Sequence, residues 1–105
     1  MIKVKVLRGS GAGLSGFEVK NHGGSFVCAA VSMFSINTVN ALETLLKEEL
    51  DLKAREGGGY LRFSVKSLET GAESPMARLL LETMLLGLRG ASAEYPGEID
   101  ITDKI

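Results

Sequence analysis

His22 and Cys28 are the only histidine and the only cysteine of a 105-residue chain, six positions apart in the stretch NHGGSFVCAAVS. An imidazole within hydrogen-bond reach of a thiol is the minimum equipment for nucleophilic hydrolysis. The ring takes the thiol proton, the thiolate attacks, and the ring returns a proton to the leaving group. Gly23 and Gly24 give the intervening loop a backbone free to bend back on itself. The apolar, helix-prone run that begins at Cys28 would place the thiol where first-turn N–H groups and the helix dipole favour a thiolate. A lone cysteine flanked by Val27, Ala29 and Ala30 also reads as a small buried hydrophobe, and His22 as a loop residue facing solvent. On the residues alone both readings stay open.

Other chemistries fit less well. One histidine and one cysteine supply two ligands where structural zinc takes four, and the sole nearby carboxylate upstream is Glu18, so neither metal nor cofactor is expected. A redox disulfide lacks its partner, and no GxSxG stretch supports a serine triad. The glycine run GSGAG lacks the Lys-Ser/Thr pair of a phosphate loop and leads into no helix. A formal net charge of -1 argues against a large cationic surface, so no direct nucleic-acid partner is expected. The single cysteine fits a reducing compartment. No signal-like segment precedes IKVKV, and the apolar runs read as too short to cross a bilayer. The expectation is a cytoplasmic protein without a membrane partner.

The elements that must position the pair follow from periodicity. IKVKV alternates with period two, a half-buried strand running to about Leu7, with Lys3 and Lys5 on its wet face and Arg8 just beyond. The glycines at positions 9 to 13 make a turn, and LSGFEVKN a second strand with Phe17 and Val19 on one face, so a hairpin is expected. From about Cys28 to Leu50 the period becomes helical. Val31, Ser35, Thr38, Leu42, Leu45 and Glu49 form one line, flanked by Ile36, Val39, Leu46 and Leu50, with Glu43 and Lys47 as an i,i+4 pair. Ser25 is the expected cap. Leu61, Phe63 and Val65 alternate in a third strand. Ser74-Pro75 opens a second helix, apolar on most sides, with Gly90 as its stop. A turn at Tyr95-Pro96-Gly97 leads to a last strand with Ile99 and Ile101 inward. The 45% hydrophobic content suffices for one core. The expected fold is a single α+β domain over residues 1–105, in two layers. It has a mostly antiparallel four-stranded sheet and two helices, in the order ββαβαβ.

FEVKNHGGSFVCAAVS resembles the signature of the ribosomal-processing cysteine proteases, the Prp family. That family carries a Gly-His-Ala segment at a strand end, then a loop, then an apolar pair and a Cys-Ala-small-Val/Ala-Ser run on a helix. VCAAVS matches the second part closely, and NALETLL, GGYLRFSV, LLLETMLLGLRG and EYPGEI extend the resemblance along nearly the whole chain. Asn21 and Gly23 replace the family's glycine and alanine, and the loop is short. An alternative register would set Phe17, after Gly16, at the family's histidine position; the Phe-Glu-Val lead-in favours His22. The resemblance implies Cys28 as nucleophile and His22 as general base and acid. It implies a supporting Ser32 one turn beyond Cys28, and an oxyanion hole from the Cys28 and Ala29 backbone N–H groups. Asn21, Glu18 and Ser32 are the candidates to orient His22. It also implies a homodimer that removes the N-terminal extension of a large-subunit ribosomal protein by cutting after an apolar, aromatic-rich stretch. Two competing functions are a catalytically lapsed, ribosome-associated binding module of the same fold, and a thiol hydrolase of an unrelated peptide.

Overall fold

The computed structural model describes residues 1–20, 26–55 and 58–103. Strand β1 (Ile2–Arg8) alternates as its sequence dictates, with Ile2, Val4 and Val6 buried and Lys3 and Lys5 exposed. A 3-10 turn over Ser10–Ala12, with Gly11 and Ala12 at positive φ, reverses the chain into β2 (Leu14–Lys20). The hairpin is antiparallel, as expected. Near the turn Leu7 faces Gly16 while Arg8 faces Leu14, so Ser15 is the extra residue of a β-bulge. Its hydroxyl donates to the Leu7 carbonyl and accepts from Ser64, which keeps both buried serines satisfied.

Helix α1 (Phe26–Thr44) follows, then β3 (Leu50–Ala54), β4 (Tyr60–Val65), the one-turn α2 (Lys66–Glu69), α3 (Pro75–Glu94) and β5 (Ile99–Thr102). The five strands form one sheet in the order β3-β4-β2-β1-β5, antiparallel except for the β1–β5 pair. That parallel pair exists because α3 carries the chain back along the sheet, so that β5 enters in the same sense as β1. The helices cover one face. Phe17 and Phe63 meet there with ring centroids 6.0 Å apart, among Leu14, Leu42, Leu81, Met84 and Leu88.

The architecture is α+β with one buried sheet face, but the expected four strands and two helices become five strands and three helices among the described residues. The first helix ends at Thr44 and not at Leu50. Lys47 has φ 57, and the Leu46 and Glu48 N–H groups bond back to Ala41 and Leu42, which unwinds the last turn. The Glu43–Lys47 pair therefore spans the helix end. The missed β3 has its own alternation, Leu50, Leu52 and Ala54 against Asp51 and Lys53, whose first residue a helical stripe extended to Leu50 had absorbed. The expected inward Ile36 and Leu45 are exposed, whereas Val31, Ser35, Thr38, Val39 and Leu42 are buried.

The expectation that the second helix is apolar on most sides holds in part, since Met76, Leu79 and Leu86 are exposed on it. Helix α3 is amphipathic, with Ala77, Leu81, Met84, Leu85 and Leu88 on its buried face, and it runs past Gly90 to Glu94. Helix α1 carries an apolar outer face as well: Phe26, Met33, Phe34 and Ile36 are all exposed. By length and composition alone α1 is apolar enough to cross a membrane, contrary to the expectation from its sequence; here its inner face packs into the domain core. Ser74 caps α3 by position, but its hydroxyl donates to Glu48 instead of to the helix. The Ser25 cap expected for α1 lies outside the described residues.

Candidate active site

Cys28 is the third residue of α1, so it sits in the first helical turn as its sequence context implied. The first N–H groups of a helix have no intrahelical acceptor. With the helix starting at Phe26, the Cys28 N–H belongs to that set. No acidic side chain occupies the first turn to neutralise the positive end of the helix dipole. The helix start thus favours an anionic sulfur, against which apolar burial acts.

The thiol is also part of the core. Cys28 is 8% exposed, clusters with Val27, Val31 and the sheet residues, and forms no disulfide. Side chains that follow at i+4 lie on the same helix face, and there Ser32 stands, half-buried. Ala29 is exposed on the neighbouring face, so its contribution to chemistry is confined to its backbone.

His22, with Gly23, Gly24 and Asn21, lies outside the described residues, so the expected His22–Cys28 contact has no geometry here. The elements on either side are described. Strand β2 ends at Lys20, paired with Lys3 of β1 and Tyr60 of β4, and α1 begins at Phe26. Phe17, the rival for the histidine position, is completely buried against Phe63 and faces the core.

Of the three candidates to orient the imidazole, Glu18 has other work. Its carboxylate accepts from the Tyr60 hydroxyl at 2.8 Å and lies 3.6 Å from Lys20 Nζ. Burial pushes the Glu18 carboxyl up, but the Tyr60 hydrogen bond and Lys20 outweigh it, leaving its pKa below the ordinary value. The same hydrogen bond raises the Tyr60 phenol. This trio pins the end of β2 to β4 just before residue 21.

Two features were not found in the sequence. On the open sheet face, a cavity of about 570 Å³ is lined by Lys5, Arg8, Ser15, Asp51, Arg62 and Glu69, among others. There the hydrogen bond to Asp51 raises the Glu69 carboxyl, with burial adding to it. This group forms only once β3 exists as a strand, so reading a helix to Leu50 hid it. The second is an aromatic pair beside the cysteine: the ring centroids of Phe26 and Tyr95 are 6.5 Å apart, tying the start of α1 to the end of α3. Among the described residues no group of three or more metal-ligating side chains converges.

Comparison with known proteins places this geometry. The family model described as "Cysteine protease Prp" matches residues 1–100. The ribosomal processing cysteine protease Prp of Bacillus subtilis is 31% identical over 112 residues, covering 100% of this chain and 99% of that protein. The Staphylococcus aureus protein of the same name is 32% identical over 83 residues, covering 79% and 74%. The crystal structure of the S. aureus ribosomal processing protease Prp with a covalently linked product peptide superposes with a TM-score of 0.85 at 26% identity, over 99% of this chain and 100% of that one. A Streptococcus mutans protein superposes with a TM-score of 0.80 at 32% identity, over 97% and 92%.

Proposed function

The chain belongs to the Prp family of cysteine proteases, and from that premise we propose that it removes the N-terminal extension of a large-subunit ribosomal protein by a Cys28–His22 dyad. The observation that carries the reading is Cys28 in the first turn of α1, at the positive end of a helix that has no acidic residue there. His22 takes the thiol proton. The Cys28 sulfur attacks the scissile carbonyl, and the developing oxyanion is met by the Cys28 N–H, with Ala29 as second donor. The carbon–nitrogen bond breaks as the His22 imidazolium protonates the leaving amine. Water then gives its proton to His22 and its hydroxide to the thioester. The sulfur–carbon bond breaks, and the acid product leaves. Ser32, on the Cys28 face, supports the thiolate, and Gly23 and Gly24 let the loop bring His22 over it.

The chain works in the cytoplasm as a homodimer in this reading, with no metal or cofactor. Support for the dimer comes from the outer helix face. Phe26 meets Tyr95, and the Phe34 ring lies against Gly87, so α1 and α3 run antiparallel. Met76, Leu79 and Leu86 of α3, and Leu45 just past the end of α1, are exposed apolar residues. Such a patch suits burial against a second copy.

Alkylation tests the reactive group. Iodoacetamide should modify Cys28 at neutral pH faster than free cysteine, and His22→Ala should slow it. A Cys28 that resists alkylation, or reacts equally fast without His22, contradicts the dyad.

A further inference from the structure

Phe26 is 76% exposed and Tyr95 38%, yet their ring centroids lie 6.5 Å apart, one ring from the first residue of α1 and the other from the residue just past α3. An exposed aromatic pair of this kind has hydrophobic area still to bury. Its position relative to the nucleophile is fixed by helix geometry. Residues two apart on a helix project about 200° apart, and a helix with its side chains is about 10–12 Å across. The Phe26 ring therefore stands on the order of 10 Å from the Cys28 sulfur, across the N-terminal end of α1. An extended peptide advances about 3.3 Å per residue, so a substrate seated on Cys28 reaches the rings about three residues from the bond being cut.

We infer that Phe26 and Tyr95 form an aromatic ledge that grips an apolar side chain of the peptide substrate about three residues from the scissile bond, and so set the enzyme's specificity. The inference rests on the proposed protease reading and adds to it the residues that choose the substrate. The occupant is a peptide because the ledge is continuous with the Cys28 helix turn, and because the S. aureus relative, of the same fold, is solved with a covalently linked product peptide. Neither ring touches the reacting atoms, so the pair acts on binding and leaves the chemical step alone.

The test uses eight-residue fluorogenic peptides in which a single phenylalanine is moved along a threonine-serine background on either side of the cleavage point. Wild type is compared with Phe26→Ser, Tyr95→Ser and Phe26→Tyr, with melting temperatures measured in parallel. Wild type should show a KM about tenfold lower when the phenylalanine stands about three residues from the cut. Phe26→Ser and Tyr95→Ser should erase that preference while kcat stays within about twofold, and Phe26→Tyr should restore it. A preference that persists in both serine variants overturns the ledge and leaves the protease reading intact. A KM that rises only because Phe26→Ser dissociates a dimer, seen by sedimentation, also overturns it. Failure of wild type to cut any peptide in the panel removes the protease reading together with the ledge.

Discussion

Gly16→Ala is expected to remove a large share of the protein's stability, while the same substitution at Gly87 is expected to be nearly silent. The difference comes from what each new methyl meets. At Gly16, in the middle of β2, a Cβ would stand 1.9 Å from the Phe63 carbonyl oxygen and 2.6 Å from the Ser64 Cα. Both atoms are backbone of β4, hydrogen-bonded to β2 across the centre of the sheet. Relief demands moving one central strand away from the other by more than 1 Å, which breaks ladder bonds and opens the Phe17–Phe63 contact beneath. Ordinary overpacking costs about 1–3 kcal/mol. A clash against paired backbone lies at or above the top of that range, against a total stability of roughly 5–15 kcal/mol. At Gly87 the Cβ would stand 2.5 Å from the Phe34 Cζ, the far end of a side chain that is already 41% exposed. That ring can swing outward, and alanine in mid-helix regains about 1 kcal/mol of helix propensity, so the two effects nearly cancel. Urea melts followed by far-ultraviolet circular dichroism measure both. A midpoint for Gly16→Ala equal to wild type, or a larger loss at Gly87 than at Gly16, would refute the packing argument.

Three further outcomes follow from the same contacts. Cys28→Ala deletes one buried sulfur, about the size of a methylene, so it should cost about 1 kcal/mol and a few degrees of melting temperature while abolishing cleavage; calorimetry beside a peptide assay separates the two. The Asp51 hydrogen bond raises the folded-state Glu69 pKa above its unfolded value. Its stabilisation is therefore complete in acid and is lost as pH rises through the folded value, and Glu69→Gln should be more stable than wild type at neutral pH, with the gap closing in melts taken toward about pH 4. Asp103 has the opposite sign: its hydrogen bond and ion pair with Arg8 hold its carboxyl below the ordinary value, with Arg89 nearby. That stabilisation is present above the unfolded pKa and lost as pH falls through the folded one, so Asp103→Asn should lower the neutral-pH midpoint and flatten the acid side of the stability profile.

The period-two strands and the position of Cys28 were legible in the sequence because both depend on local pattern. Ile2, Val4 and Val6, then Leu61, Phe63 and Val65, point inward as their alternation requires. Strand β3 was hidden because Leu50, its first residue, continues the helical spacing of Leu42 and Leu46, and the left-handed turn at Lys47 separates the two. Nothing local announces that turn, since lysine has no preference for it. The outer faces were only partly legible: α3 buries Leu81, Leu85 and Leu88 but leaves Leu79 and Leu86 exposed, while α1, read as amphipathic, sends phenylalanine and methionine outward. Tertiary packing decides that allocation. The Phe26–Tyr95 pair joins residues 69 positions apart and was invisible to any local window.

Cleavage of a peptide spanning the ribosomal-protein extension junction, by wild type beside Cys28→Ala and His22→Ala, tests the dyad most directly. The account predicts cutting at one bond by wild type, and a fall of at least about a hundredfold in kcat/KM for each variant, with both variants folded. Cutting that survives Cys28→Ala or His22→Ala would contradict it.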